Sequence, residues 1–330
     1  MTATEKQPVV LITDYAWPDL DIEKSILEGA GYKVVSGPSA PASAEVIEAL
    51  MLEHQPDVVL FCWAPVTEKA IRSVPHLKLA ARLGVGLDNL AVDVCTELGI
   101  WVTNVPDYCV EEVSDHTVAM LLSWARGLVP FNKKVSEGVW EPAGAKLLRV
   151  ANLTVGILGY GRIGQRTASK LRPFGCELLA VDRSPDEDDI EFCDLETMAE
   201  RSDVLIVQTP LTPQTHQLID QNILDRIKPG GLLINVSRGG VVDTNAVINA
   251  LASGRLSSVG LDVLEDEPNV PAELRDHPNT IVTPHVAFSS DASLEELRVR
   301  ASEEVIRVLN GGIPEQARNQ PRGKQSDYYE

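Results

Sequence analysis

The sequence predicts an α/β protein built as two Rossmann-like, doubly wound parallel-sheet domains with a cleft between them, and three observations carry that expectation. Short β-rich runs alternate with helical segments along both halves of the chain. A glycine-rich turn follows an apolar run directly at the start of the second half. The 330 residues, 44% of them hydrophobic, suffice for two cores.

In the first half, β-rich runs at 9–13, 33–35 and 58–61 are separated by helical segments at 22–29 and 44–53, the alternation that parallel strands with crossover helices require. A further unit runs through 77–81, a helix at 92–98 and 101–103. Pro106 then interrupts the pattern, so Asn104-Val-Pro-Asp107 reads as a crossing between domains before a long helix from Val110 to about Gly127. Val113, Thr117, Met120, Leu121 and Trp124 make that helix apolar enough to lie between domains or against another subunit.

From Thr154 the alternation restarts, with strands expected at 155–158, 177–181, 204–208, 232–236, 258–261 and 280–282. The last helix, 293–309, has no strand after it and is expected to return to the first domain. One discontinuous domain of 1–104 plus 289–312 and another of 105–288 follow, and 313–330, polar and containing Pro and Gly, is expected to be a disordered tail.

The opening of the second half reads Val155-Gly-Ile-Leu-Gly159-Tyr-Gly161-Arg162-Ile163-Gly164. Gly159 permits a tight turn, Gly161 lets the backbone approach a pyrophosphate, and Gly164 lets the next helix pack on the strand. Arg162 and Ile163 stand where helix N-terminal N–H groups meet phosphate. Asp182 ends the following apolar run at the spacing, ~20 residues on, where a carboxylate meets the ribose hydroxyls. A ribose 2′-phosphate would be repelled there, so NAD is expected rather than NADP; the neighbouring Arg183 argues the other way and carries less weight.

Composition narrows the partners. A net charge of −19 opposes nucleic acid and anionic membranes, so an anionic substrate must be met by locally placed cations. Cys62, Cys95, Cys109, Cys176 and Cys193 are odd in number and contain no C-x-x-C, which suits a reducing cytoplasm. No leader-like N-terminus or membrane span is evident, and no metal site is expected.

Three segments after strand ends bring reactive side chains: Asn235-Val-Ser-Arg238-Gly-Gly, Asp262-Val-Leu-Glu-Asp-Glu267-Pro and Thr283-Pro-His285. Hydride transfer to a 2-keto acid needs a fixed cation for carboxylate and carbonyl, and a proton donor for the developing alkoxide. Arg238 suits the first task and His285 the second, with Glu267 favouring imidazolium and orienting the ring. Each residue also has a bland reading, as a turn arginine, a loop histidine and one member of an acidic loop. Convergence on one nucleotide-binding sheet favours the functional one. His54, His76, His216 and His277 are expected to be solvated, and His116 to be an interface or core residue.

With these residues in view, the chain closely resembles the D-isomer-specific 2-hydroxyacid dehydrogenases over nearly its whole length. Gly84-Val-Gly-Leu-Asp-Asn89, Asn104-Val-Pro106, Gly138-Val-Trp140 and the three segments above occur in the family's order. The resemblance implies an NAD-dependent oxidoreductase interconverting a 2-keto acid and a D-2-hydroxy acid. In it Arg238 binds substrate, Glu267 and His285 form the acid/base pair, and the N–H groups of Val85 and Gly86 hold the substrate carboxylate. It further implies that Asp262 helps hold the nicotinamide amide, that Thr209, Pro210, Val236 and His285 line the cofactor, and that the long helix contributes to a homodimer. Pro106-Asp-Tyr-Cys-Val-Glu-Glu-Val-Ser-Asp-His116 and His285-Val-Ala-Phe288 look most like the branch containing the C-terminal binding proteins, which makes an NAD(H)-sensing, corepressor-like protein the alternative. Phosphoglycerate-using members carry arginines where this chain has Phe61-Cys-Trp63-Ala-Pro, so Phe61 and Trp63 are expected to wall the substrate pocket. Lys133, Lys134, Lys146 and Arg149 keep a phosphonate or dicarboxylic substrate open, and a third reading keeps the fold and changes the donor to a phosphite-type compound or formate.

Overall fold

A computed structural model describes residues 7–182 and 190–323. The described residues of Met1–Tyr108 and Ser290–Glu330 form one compact unit, and Cys109–Ser289 form the other.

The first unit is a parallel sheet of β1 (Val9–Ile12), β2 (Lys33–Ser36), β3 (Val58–Phe61), β4 (Leu79–Arg82) and β5 (Trp101–Thr103), in the order β2-β1-β3-β4-β5. β1, β3 and β4 are buried along their whole length because helices cover both faces, which is why they read as unbroken apolar runs rather than alternating ones. The sheet order reverses between β1 and β3, so the loops after these two strands face the usual ligand end of such a sheet. Helix Asp291–Leu309 returns to this unit and buries Leu297, Ala301, Val305 and Val308, residues spaced to share one helix face. Ser290 and Ser293 close a capping box at its start. Its Arg298 donates to the fully buried Glu23 at 2.7 Å, and the same guanidinium lies over the Trp17 ring.

The C-terminal stretch departs from expectation. Residues 313–323 are docked: Ala317 pairs antiparallel with Thr103, Arg318 N–H donates to the Val102 carbonyl at 2.8 Å, and Asn319 Oδ1 accepts from Val102 N–H at 2.9 Å. β5 is an edge strand with open hydrogen-bonding groups, and a polar segment satisfies them as well as an apolar one does. The rest of the expected tail, 324–330, lies outside the described residues, as does Arg183.

The second unit is a seven-stranded parallel sheet of β6 (Thr154–Leu158), β7 (Glu177–Val181), β8 (Glu191–Phe192), β9 (Val204–Val207), β10 (Gly231–Asn235), β11 (Leu256–Leu261) and β12 (Thr280–Val282). Its order, β12-β11-β10-β9-β6-β7-β8, is the doubly wound one with a reversal between β6 and β9. The six expected strands are present; β8, only two residues long, is additional. The expected long helix ends at Ala125, because Gly127 takes a left-handed φ of 60°, and a second helix, Leu128–Ser136, begins after it. Helix Val110–Ala125 packs in part on the sheet of its own unit. Met120 packs on Gly260 of β11, where an added Cβ would lie 2.9 Å from the Met120 sulfur, and Trp124 Nε1 donates to Ser257 at 3.0 Å.

Candidate functional site

The three fingerprint glycines are distinguishable by what surrounds them. Gly159 has φ 95°, and a Cβ there would lie 2.6 Å from the Gln208 carbonyl oxygen, so the turn after β6 fits against β9 only as glycine. A Cβ on Gly164 would come within 2.2 Å of the Gly159 carbonyl oxygen, which fixes how closely helix Arg162–Leu171 sits on the turn. Around Gly161 a Cβ would meet nothing within 4 Å. Two glycines are thus required by the fold, and the middle one borders open space at a helix N-terminus, the arrangement a pyrophosphate needs. The residues present therefore fit a dinucleotide.

Arg162 and Ile163 open that helix, with Arg162 exposed and Ile163 half-buried. Asp182 follows β7 and accepts from the Tyr160 N–H at 2.7 Å, so its carboxylate shapes the glycine turn. Thr209 and Pro210 follow β9, where Pro210's carbonyl accepts from Thr215 at 2.6 Å, and Val236 follows β10.

Arg238 lies just beyond Val236, and its backbone is set by a buried side chain. Asn235 donates from Nδ2 to the Arg238 carbonyl at 3.0 Å, while its Oδ1 accepts from Ser237 N–H and Oγ. Next to it, Gly239 has the Leu264 backbone across its face: a Cβ would fall 1.9 Å from the Leu264 carbonyl carbon. That contact brings the loop after β11, and Glu267 with it, beside the loop after β10. Glu267 accepts from the Leu264 N–H at 3.0 Å and from His285 Nδ1 at 2.9 Å. Burial pushes its carboxyl up, yet the His285 hydrogen bond and charge, the Leu264 N–H and the Arg238 charge outweigh burial and hold it below the ordinary carboxylate value.

His285 takes a left-handed backbone conformation, φ 53°, which is held by its N–H donating to the Asp262 carbonyl at 2.9 Å. Asp262 is 2% exposed, and its carboxylate accepts from Thr283 Oγ1 at 2.6 Å, Val286 N–H at 2.9 Å and Ala287 N–H at 3.0 Å. One buried aspartate therefore shapes the whole histidine loop. His116 reaches the same network from helix Val110–Ala125, with Nε2 3.0 Å from Thr283 Oγ1. It is half-buried rather than a core residue, and it buttresses the loop that carries His285.

In the first unit, Val85 and Gly86 lie after β4. Asn104 Nδ2 donates to the Val85 carbonyl at 2.6 Å, and Arg82 Nε donates to the Gly86 carbonyl at 3.1 Å. Both carbonyls are therefore turned inward, and among the described residues no acceptor takes the Val85 or Gly86 N–H. Two adjacent donors left without a protein acceptor suit an anion.

Of the two aromatic residues expected to wall a pocket, Phe61 does not. It is 0% exposed within the core of the first unit, beneath the Arg82 guanidinium, because a residue inside a two-sided β3 strand points into packing rather than past the strand end. Trp63 lies beyond the strand, half-buried, in a loop that Asp14 builds by accepting from the Cys62, Trp63 and Ala64 N–H groups at 2.7–3.0 Å. Asn89 donates to the Cys62 and Ala64 carbonyls at 3.1 Å. Sequence reasoning missed Asp14, and left Asn89 and Asn235 inside motifs without a role. For Asp14 and Asn235 the available signal was a short polar side chain at or just past the end of a buried strand; Asn89, well past the end of β4, offered no such signal.

The fold and the site together define a dinucleotide-binding α/β protein equipped for acid–base chemistry. Residues 118–287 match the family described as D-isomer specific 2-hydroxyacid dehydrogenase, NAD binding domain. The glyoxylate reductase of Thermococcus litoralis is 32% identical over 289 residues, spanning 84% of this chain and 87% of that protein. That of Korarchaeum cryptofilum is 34% identical over 294 residues, spanning 85% and 87%. Among solved structures, the NADPH-dependent glyoxylate/hydroxypyruvate reductase of Sinorhizobium meliloti, in complex with NADP and malonate, superposes with a TM-score of 0.84 at 30% identity, covering 97% of this chain and 100% of that one. D-Lactate dehydrogenase from Aquifex aeolicus, complexed with NAD and lactic acid, gives 0.83 at 28% identity, covering 92% and 96%. The chain belongs to the D-isomer-specific 2-hydroxyacid dehydrogenase family.

Proposed function

We propose that the chain is an NAD-dependent oxidoreductase that interconverts a small 2-keto acid, such as glyoxylate, and the corresponding 2-hydroxy acid, of D configuration where that carbon is chiral. The observation that carries this reading is the 2.9 Å contact of His285 Nδ1 with Glu267 Oε2, beside an arginine whose charge reaches the same carboxylate. NAD(H), when bound, supplies or accepts the hydride. Glu267 holds Nδ1, so the proton is exchanged with the substrate oxygen at His285 Nε2. Arg238 binds the substrate carboxylate and stabilises charge developing on the carbonyl oxygen, and the N–H groups of Val85 and Gly86 are further donors to the carboxylate.

Gly159, Gly161, Arg162, Ile163, Gly164, Thr209, Pro210 and Val236 hold the dinucleotide, and Asp182 selects NAD by its charge. Asp262 meets the nicotinamide amide with acceptor capacity beyond its loop contacts. Trp63 limits the size of the substrate side chain. The exposed Leu128, Val129, Val135 and Trp140 support a homodimer through the second unit, and the absence of any disulfide among the five cysteines accords with a cytoplasmic setting.

The test is NADH and NADPH consumption across aliphatic, aromatic, dicarboxylic and phosphonate keto acids. Turnover of a small keto acid with higher kcat/KM for NADH is expected. Higher efficiency with NADPH would overturn the role of Asp182, and turnover confined to phosphonates would favour the exposed Lys133, Lys134 and Lys146 as the anion site. The corepressor-like resemblance of 106–116 supports a second reading, an NAD(H) sensor. Cofactor-dependent partner capture without oxidation of NADH on any keto acid would establish that instead.

A further inference from the structure

The C-terminal segment reaches the carboxylate-binding loop through one side chain. Arg318 Nε donates to Asn104 Oδ1 at 2.5 Å, and Asn104 Nδ2 donates to the Val85 carbonyl at 2.6 Å. We propose that Arg318 is a positioning residue for substrate binding: it fixes the orientation of the Asn104 amide, which in turn holds the Val85–Gly86 N–H groups outward toward a carboxylate. The inference rests on the reading of Val85 and Gly86 given above.

The argument is one of donors and acceptors. Asn104 is 6% exposed and stands between a carbonyl, which can only accept, and a guanidinium, which can only donate. An amide satisfies both in one orientation alone, Oδ1 to Arg318 and Nδ2 to Val85. Without the guanidinium, the flipped amide becomes accessible, and it would set Oδ1 against the Val85 carbonyl, repelling it. Releasing that carbonyl lets the peptide between Val85 and Gly86 rotate, and the Gly86 N–H turns with it.

Arg318 is itself well placed for the task. Its own N–H donates to the Val102 carbonyl, Ala317 pairs with Thr103, and Asn319 reaches Val102 N–H and the Ile100 carbonyl, so the backbone on both sides is tied to β5. Asn104 follows that strand directly. The Val105 N–H donates to the Gly84 carbonyl at 3.1 Å, joining the two loops a second time, so losing Arg318 loosens the substrate loop without releasing it.

Steady-state kinetics of Arg318→Met, Arg318→Lys and Asn104→Ala in the full chain, with glyoxylate as substrate, test this. Arg318→Met is expected to raise the glyoxylate KM about three- to tenfold, the range of one hydrogen bond, with the NADH KM and kcat within about twofold of wild type. Arg318→Lys, which keeps a donor, should recover most of the loss. An unchanged glyoxylate KM in Arg318→Met beside a raised one in Asn104→Ala would overturn the role of Arg318 and leave the loop's role standing. Unchanged values in both would sink the reading of Val85 and Gly86 together with it. A parallel rise in both KM values with a fall in Tm would make Arg318 merely structural.

Discussion

At the scale of single residues, the positions of the charged groups are decided by neighbours that act through the backbone. His285 meets Glu267 because Asp262 gathers the N–H groups of Val286 and Ala287 and because Gly239 admits the Leu264 backbone. Replacing His285 by Gln removes the proton donor and should lower kcat/KM on a good substrate by about a hundredfold or more, with Tm little changed. Glu267→Gln keeps the shape and removes the charge, so a smaller loss is expected. Its pH dependence has a definite sign. The folded-state value of Glu267 lies below its ordinary 4.5, so the ionised carboxylate contributes stability that is fully present above 4.5 and is lost as pH falls through the lower folded value. The Tm difference between wild type and Glu267→Gln should therefore hold from neutral pH to about 4.5 and shrink only in stronger acid. A difference that vanished already near pH 6 would remove Glu267 from the pair. That Arg238, Glu267 and His285 come together was legible in sequence because reactive types at strand ends are few. Asp262's hold on the histidine loop and Asp14's hold on the Trp63 loop were not, since both act through backbone N–H groups that only the fold brings near, and Phe61 was misread because strand end and strand interior differ by a single residue.

At the scale of elements, the same glycine type does three different jobs within one turn. Gly159 and Gly164 face backbone at 2.6 and 2.2 Å, whereas Gly161 faces open space. Gly161→Ala should therefore leave the Tm of the cofactor-free protein within a degree or two, yet weaken NADH binding by about tenfold or more, because the added methyl occupies the room the pyrophosphate needs. Gly159→Ala and Gly164→Ala should instead lower Tm outright. Isothermal titration and thermal melts on the three variants check this; an unaltered NADH Kd in Gly161→Ala would remove the turn from the cofactor site. Strands in both units were readable because burial on both faces leaves continuous apolar runs, as in Leu232-Leu-Ile234 of β10. Two kinds of element were not. β8 is too short to show a pattern, and helix Leu128–Ser136 buries none of its residues, so it has no core-facing stripe to betray it. The docked 313–323 segment was missed for a third reason: it is held by backbone pairing and side-chain amides, which leave no hydrophobic signature.

At the scale of the whole molecule, the chain crosses between units twice, and the two units differ in how they depend on it. Cys109–Ser289 is continuous and contains its own core around Leu205, Leu233 and Val259, whereas the other unit draws helix Asp291–Leu309 from beyond it. A homodimer through the second unit should be visible as twice the chain mass in solution, and Leu128→Asp with Val135→Asp should return it to a monomer without loss of cooperative melting; a wild-type monomer at micromolar concentration would overturn the assignment. The returning helix is a stricter matter, because Glu23 is fully buried and Arg298 is its ion-pair partner. Removing one member of a buried pair leaves an uncompensated charge, so Arg298→Met should cost about 3 kcal/mol or more in the full chain. A fragment of residues 109–289 should then melt cooperatively by itself, while 1–108 alone should stay unfolded, lacking both the apolar face of Leu297, Ala301 and Val305 and the partner of Glu23. Circular dichroism melts of the two fragments decide it: a cooperative transition in 1–108 would show that the helix decorates the first unit rather than completes it.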